Sequence, residues 1–142
     1  MTATILTTTT TRPDARPVSN RQVRRTGAVA GVVASAATVV VAATADALGV
    51  PIEIGGESIP LAGFAQLTLF FSAVGIVMAG VMARRAAHAR HTFVKTTLAL
   101  TALSFVPDVL ADATSATKLT LILTHVVAAS IVIPALASRL AD

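Results

Sequence analysis

Long uncharged runs, separated by short charged or turn-forming stretches, make up most of the chain after residue 25. Each of four runs approaches the roughly 20 apolar residues that a helix needs to cross the hydrocarbon core of a bilayer. The pattern therefore predicts an all-α protein, a four-helix transmembrane bundle, with spans at about 26–46, 61–83, 93–110 and 118–138. The third span is the shortest, and it ends near Pro107 and Asp108.

The first 22 residues follow a different pattern. They include a threonine run at 7–11 and two prolines, and they show no apolar periodicity. Such a segment cannot bury enough surface to offset the entropy of ordering its backbone. We therefore predict a disordered cytoplasmic tail at 1–22 and a membrane domain at 23–142.

The amino-acid composition excludes several classes of protein and of functional site. The chain is 54% hydrophobic and 13% charged, with a mean hydropathy of +0.78, whereas soluble domains carry about 25% charged residues. This argues against an ordinary soluble enzyme. The absence of cysteine removes disulfides, iron-sulfur clusters and thiolate metal sites. The sequence also lacks a glycine-rich phosphate loop, a nucleophile elbow and an HExxH motif, and no cofactor is predicted.

Basic residues collect on one side of the predicted spans. Ten of the eleven Lys and Arg residues precede the first span, separate the second from the third, or follow the fourth. Because such residues resist translocation, both termini are predicted to be cytoplasmic, in a multi-pass protein of a bacterial cytoplasmic membrane. The opposite side has Lys118 as its only cation. Its carboxylates are Asp46, Glu53, Glu57, Asp108 and Asp112.

The predicted partners are lipids. The basic loop between the second and third spans should attract anionic lipid head groups, which accounts for a net charge of +4. Nucleic acid is not predicted as a partner, because the cations flank the spans and no aromatic residues lie between them.

The first span has a second interpretation. Arg24 and Arg25, an apolar stretch and the small residues at 43–45 also resemble a signal peptide with a cleavage site after Ala45. The apolar run is long for a signal sequence, and the paired arginines lack the rest of a twin-arginine pattern. We therefore expect a retained helix, and an intact mass beginning at Asp46 would contradict that expectation.

Polar side chains inside the spans identify candidate functional residues. In the third span Thr97, Thr101, Ser104 and Asp108 are spaced four, three and four residues apart, so they form one stripe along a helix. We expect this stripe to face the interior of the bundle. Polar residues of the other spans should face the same interior: Ser35, Thr38, Asp46, Gln66 and His125.

Two interpretations of these residues are open. In the functional one, an outward-facing polar pocket contains His125 and Asp108 as candidate catalytic residues, because imidazole exchanges protons near neutral pH. The candidate ligand-binding residues of this pocket are Asp46, Gln66, Thr101 and Ser104. In the structural one, the hydroxyls bond to their own helix backbone, while His125 and Gln66 hold helices together.

Two further spacings have a structural and a functional interpretation. Gly27, Gly31 and Ser35 place small residues four apart, which permits close approach of another helix within the chain or in a homodimer. His88 and His91 are spaced as possible metal ligands on one helical face. No cysteine or acidic residue near them in sequence completes such a site, so no metal is predicted.

The C-terminal part of the chain has a recognisable pattern, with SFVPD at 104–108, LILTHVV at 121–127 and IVIP at 131–134. It resembles the small four-helix membrane proteins of actinobacteria that are grouped as a family of unknown function. In that family a proline ends the third helix, and a histidine and a proline occur in the fourth. Pro107, His125 and Pro134 match this pattern. The resemblance covers roughly residues 25–140 and implies a cytoplasmic-membrane location without an established reaction.

The sequence is compatible with three functions. The leading hypothesis is a non-catalytic structural or accessory component of the cytoplasmic membrane. The first alternative is a membrane-embedded binder or enzyme for an apolar small molecule, such as a lipid, quinone or isoprenoid, that uses His125. The second alternative is a dimeric proton-coupled transporter. The first span lacks the mid-span carboxylate that small multidrug transporters have, and the chain has no Trp or Tyr for aromatic substrate contacts.

Overall fold

A computed structural model of the chain describes residues 20–142. The described part contains four long helices, α1 Asn20–Ala47, α2 Leu61–Arg85, α3 Ala89–Leu110 and α4 Ser115–Ala137. All four are long and apolar enough to cross a membrane. This confirms the predicted all-α fold with four membrane-spanning helices.

The helices extend beyond the apolar runs. At about 1.5 Å per residue, the 28 residues of α1 measure about 42 Å, which exceeds the hydrocarbon core of about 30 Å. Helix α1 begins at Asn20, so residues 20–22 are helical, whereas the predicted tail includes them. The reason is tertiary packing, because Val23 in the first turn is only 1% exposed. The rest of the predicted tail lies outside the described residues.

Helix α1 packs against α2 and α4, whereas α3 packs against α4 and α2. Two apolar clusters hold the bundle at its two ends. The cluster beside the start of α1 consists of Val23, Ala79, Ala89, Phe93, Leu136, Ala137 and Leu140. The cluster at the opposite end consists of Ala42, Ile52, Phe64 and Leu121. Most other large apolar side chains face outward, as expected for a surface in contact with lipid.

The contact between α1 and α2 depends on small residues. A methyl group at Gly27 would overlap the side chains of Ile76 and Leu136, and one at Gly31 would lie 2.9 Å from Cβ of Ser72. The helix backbones are therefore close enough for Thr38 Oγ1 to lie 3.0 Å from Thr68 Oγ1. The small-residue spacing of α1 serves packing within the chain.

The connection between α1 and α2 contains a short hairpin that the sequence analysis did not predict. Strands β1 (Glu53–Ile54) and β2 (Glu57–Ser58) pair antiparallel. The turn between them is Gly55-Gly56, with φ of 60° and 82°, which glycine adopts without steric cost. The amide of Gly55 donates to the Asp112 carbonyl at 2.8 Å. The hairpin is thereby joined to the loop between α3 and α4.

Charges separate between the two ends of the bundle. The amide of Arg90, at the start of α3, donates to the Ala141 carbonyl at 3.0 Å, and its guanidinium lies 3.3 Å from Asp142. The end of the chain and the α2–α3 connection thus share the end at which α1 begins. All described arginines lie there, whereas Lys118 lies at the opposite end with Glu53 and Asp112. We call these the basic end and the acidic end.

We expect Gly27→Ala to lower the thermal unfolding midpoint in detergent, because the added methyl group overlaps Ile76 and Leu136. Overpacking of this kind costs about 1–3 kcal/mol. Gly80→Ala on α2 is the matched control, since a Cβ there meets no atom within 4 Å. An equal loss in both variants, or in neither, would contradict the packing role.

The predicted orientation has a direct test because the chain contains no cysteine. The variant Ser58→Cys carries its single cysteine at the acidic end, and the variant Ser138→Cys carries it at the basic end. In intact cells we expect a membrane-impermeant maleimide to label the first variant and not the second. Labelling of Ser138→Cys alone would reverse the predicted orientation.

Candidate functional site

Asp108 is the one ionisable side chain among residues 20–142 that is buried, with 8% of its surface exposed. It lies in the last turn of α3, directly after Pro107. Its side chain turns toward α4, and its Oδ2 lies 3.0 Å from Nδ1 of His125. Since α3 and α4 pack against each other, the contact joins two neighbouring helices.

The His125 ring makes two contacts through the same nitrogen. Nδ1 lies 3.0 Å from the Leu121 carbonyl of its own helix, and that contact has hydrogen-bond geometry. The equally short contact with Asp108 is poorly aligned, so the buried Oδ2 has no hydrogen-bond partner within the described chain. We interpret the pair as a close electrostatic contact rather than a formed hydrogen bond. The carboxylate therefore keeps unsatisfied hydrogen-bonding capacity in a buried position.

These contacts fix the tautomer of His125. The carbonyl of Leu121 and the carboxylate of Asp108 are both acceptors, so Nδ1 carries a proton. The other ring nitrogen, Nε2, then presents a lone pair when the ring is neutral. No residue in 20–142 forms a hydrogen bond to Nε2, and the side chain is 38% exposed. The free nitrogen is therefore open to a molecule outside the bundle.

The α3–α4 seam around His125 contains few fully buried side chains. Within α3, no residue is buried between Thr97 and Asp108. Within α4, none is buried between Thr124 and Leu136. One large ring lies beside the histidine, with the ring centroids of Phe105 and His125 6.4 Å apart and their planes at 72°. Phe105 therefore provides an apolar neighbour for the imidazole ring.

The hydroxyls of the α3 stripe bond to their own helix. Thr97 donates to the Phe93 carbonyl at 2.8 Å, Thr101 donates to the Thr97 carbonyl at 2.9 Å, and Ser104 donates to the Thr101 carbonyl at 2.7 Å. Each hydroxyl therefore makes the local backbone bond that the structural interpretation expects, and a role of Thr101 and Ser104 in ligand binding stays a prediction. Thr101 and Ser104 are half-buried on the face of α3 that carries Asp108.

The remaining candidates lie elsewhere. Asp46 is exposed at the end of α1, and Gln66 is exposed on α2, so the expectation that Gln66 faces the bundle interior is wrong. Thr68 contacts α1, and a residue two positions away on a helix of 3.6 residues per turn points to nearly the opposite side. Ser35 faces α2, where it donates to the Ala65 carbonyl at 3.3 Å. The single polar interior expected from the sequence is therefore divided among separate places.

A groove of about 350 Å³ at the acidic end lies apart from the pair. Its polar lining residues include Asp46, Glu53 and Ser58, and it contains neither Asp108 nor His125. Asp46 and Ser58 are exposed, so water satisfies them without a ligand. Among residues 20–142 there is also no group of three or more side chains that could hold a metal ion. The Asp108–His125 pair is therefore a better candidate site than the groove.

We expect neutral His125 to carry its proton on Nδ1, which ¹⁵N NMR of labelled protein in nanodiscs distinguishes from protonation on Nε2. His88 and His91 are internal controls, because both are exposed at the basic end. They should show the signals of a solvated imidazole. A His125 spectrum identical to theirs would contradict the contacts with Leu121 and Asp108.

Comparisons with known proteins identify a family and assign no reaction. No curated protein matches the chain, and no solved structure matches it. A family model described as "Family of unknown function (DUF6069)" matches residues 18–142. That match includes all four helices and both members of the candidate pair. The chain therefore belongs to this family of unknown function, DUF6069.

Proposed function

We propose that this chain is a multi-pass protein of a bacterial cytoplasmic membrane that binds an apolar small molecule with a polar headgroup at His125. The observation that supports binding is the pair itself, a buried carboxylate without an aligned partner beside a half-exposed imidazole. His125 would contact the headgroup through Nε2. Asp108 would act through His125, as a positioning residue.

The energetic cost of Asp108 favours a function. Removing a carboxylate from water costs several kcal/mol unless hydrogen bonds and opposite charges compensate. Here one oxygen is buried and unsatisfied, and the neighbouring imidazole is partly exposed. An apolar residue of similar volume would fill the position without this cost. Ionisable residues kept inside membrane-spanning segments are, for this reason, functional candidates by default.

Access favours a ligand that reaches the site from the bilayer. His125 lies within α4, a helix long and apolar enough to span a membrane. Small half-buried residues lie within about two turns of the pair along each helix, Thr101 and Ser104 on α3 and Ala128 and Ala129 on α4. An apolar chain lying along this seam would bury surface against the helices while its headgroup meets Nε2. Small-molecule sites usually combine apolar surface with a few polar groups, and this seam would supply the first and Nε2 the second.

The competing role is structural or accessory, and specific contacts favour it. His125 bonds to the backbone of its own helix, α4, and contacts Asp108 of α3, and the stripe hydroxyls donate to their own helix. A chain of this kind could stabilise the membrane or a partner without a ligand. The two roles differ in whether the protein retains a small molecule.

The charge distribution supports an orientation with the basic end in the cytoplasm. Arg84, Arg85 and Arg90 are exposed there beside the α2–α3 connection. Anionic lipid head groups would meet these cations at the cytoplasmic surface, at about 1 kcal/mol for each residue near the surface. No contact with nucleic acid is proposed.

Native mass spectrometry of the protein released directly from the membranes of its source organism tests binding. We expect the wild-type chain to retain a stoichiometric apolar molecule that His125→Asn loses. Asparagine keeps a donor near the position of Nδ1 and removes Nε2, so the fold contact is largely preserved. His88→Asn, at the exposed basic end, is the matched control. The same spectra give the subunit count, which tests the homodimer.

Asp108→Asn tests the positioning role separately. It should weaken retention and shift the ¹⁵N signal of His125 Nδ1, whereas Asp112→Asn, exposed near the same end, should change neither. A bare chain in every sample, or equal retention in His125→Asn and His88→Asn, would favour the structural or accessory role.

A further inference from the structure

We infer that the headgroup bound at His125 is a neutral hydrogen-bond donor, a hydroxyl of an alcohol or phenol type, carried on an apolar chain. This inference rests on the proposed function and names its ligand class. It distinguishes an isoprenoid or fatty alcohol from the corresponding phosphate or carboxylate, and a quinol from a quinone.

The tautomer defines what the headgroup must supply. Nδ1 is committed as a donor because its two neighbours, the Leu121 carbonyl and the Asp108 carboxylate, are both acceptors 3.0 Å away. Nε2 of the neutral ring is therefore an acceptor. A hydroxyl can donate to it, whereas a quinone or ester carbonyl would place one lone pair against another.

The surrounding charges disfavour an anionic headgroup. In the described chain, the acidic end carries Glu53, Glu57 and Asp112 in exposed or half-buried positions around the hairpin and the α3–α4 loop. Lys118 is the cation of that end, and its Nζ donates one hydrogen bond, to the Val109 carbonyl at 2.9 Å. A phosphate or carboxylate at His125 would have the Asp108 carboxylate as a neighbour across the ring, and Nε2 of the neutral ring would offer it no proton to accept.

The burial of Asp108 disfavours a cationic headgroup as well. Its Oδ2 is buried and lies beside Nδ1, on the other side of the ring from a ligand at Nε2. An ammonium group at Nε2 would therefore leave water without reaching a counter-charge, which is costly in a membrane. A neutral hydroxyl avoids this cost, and its apolar chain can follow the seam past Phe105.

The test compares headgroups on one chain, with the full protein in nanodiscs at about pH 8, where an ordinary imidazole is neutral. Farnesol, farnesyl methyl ether, farnesyl phosphate and farnesylamine are titrated, and bound molecules are counted by native mass spectrometry. We expect farnesol to bind at least about fivefold more tightly than the ether, because only the alcohol can donate a hydrogen bond. The phosphate and the amine should bind more weakly than the alcohol.

His125→Asn provides the reference for non-specific partitioning, and His88→Asn controls for the substitution itself. In His125→Asn the preference for the alcohol over the ether should disappear, while His88→Asn should retain it. Dodecanol then distinguishes the source of the hydroxyl: equal binding indicates any long-chain alcohol, and weaker binding indicates an isoprenoid chain.

The possible failures are distinguishable. If no probe binds more tightly to the wild type than to His125→Asn, the proposed binding function itself is overturned. If binding depends on His125 but the ether matches the alcohol, or the phosphate or amine exceeds it, binding stands and the hydroxyl assignment is overturned. The ¹⁵N signal of Nε2 provides a second measurement, because it should move on addition of farnesol and not of the ether.

Discussion

The absence of water inside a bilayer is the constraint on which the rest of this structure depends. Every buried donor must find its acceptor within the protein. The chain meets this requirement locally, through helix backbones and through hydroxyls such as Thr97 and Thr101 that bond to carbonyls one turn earlier. The chain also forms hydrogen bonds between helices, where α1 and α2 are close enough for Thr38 and Thr68 to touch. Against this background the unsatisfied Oδ2 of Asp108 is an exception.

Much of the fold follows from the sequence, because uncharged runs of sufficient length have few other stable arrangements. The sequence indicates the hairpin only weakly. Gly55-Gly56 is typical of a two-residue turn, but the neighbouring Glu53 and Glu57 are of a residue type that is depleted in strands. The sequence of the run 61–83 does not indicate which face of α2 packs against the other helices, because apolar residues occur on all sides of the helix. The exposure of Gln66 and the contact of Thr68 with α1 show that Gln66 faces outward.

The candidate pair lies at the limit of what the sequence can indicate. His125 and Asp108 were identified as candidate residues from their chemistry, and the periodicity of α3 placed Asp108 on the face with Thr97 and Thr101. The partner helix was beyond that reasoning, since any of three helices could have faced the stripe. The unsatisfied oxygen and the choice of tautomer depend on distances and angles that no spacing along the chain determines.

The contacts at the acidic end bear on how a ligand would enter. Thr117 at the start of α4 donates to the Pro51 carbonyl at 2.6 Å, and Gly55 donates to the Asp112 carbonyl. The hairpin connection is thus bonded to the start of α4 and to the α3–α4 loop, and Lys118 of α4 bonds to the end of α3. Separation of α3 from α4 at this end would break the Lys118 bond and displace the loop to which the hairpin is joined. Between Thr97 and Asp108, by contrast, α3 contributes no buried side chain. A ligand that reached Nε2 from the bilayer, as we propose, would therefore displace fewer buried side chains in the middle of the seam than at the acidic end.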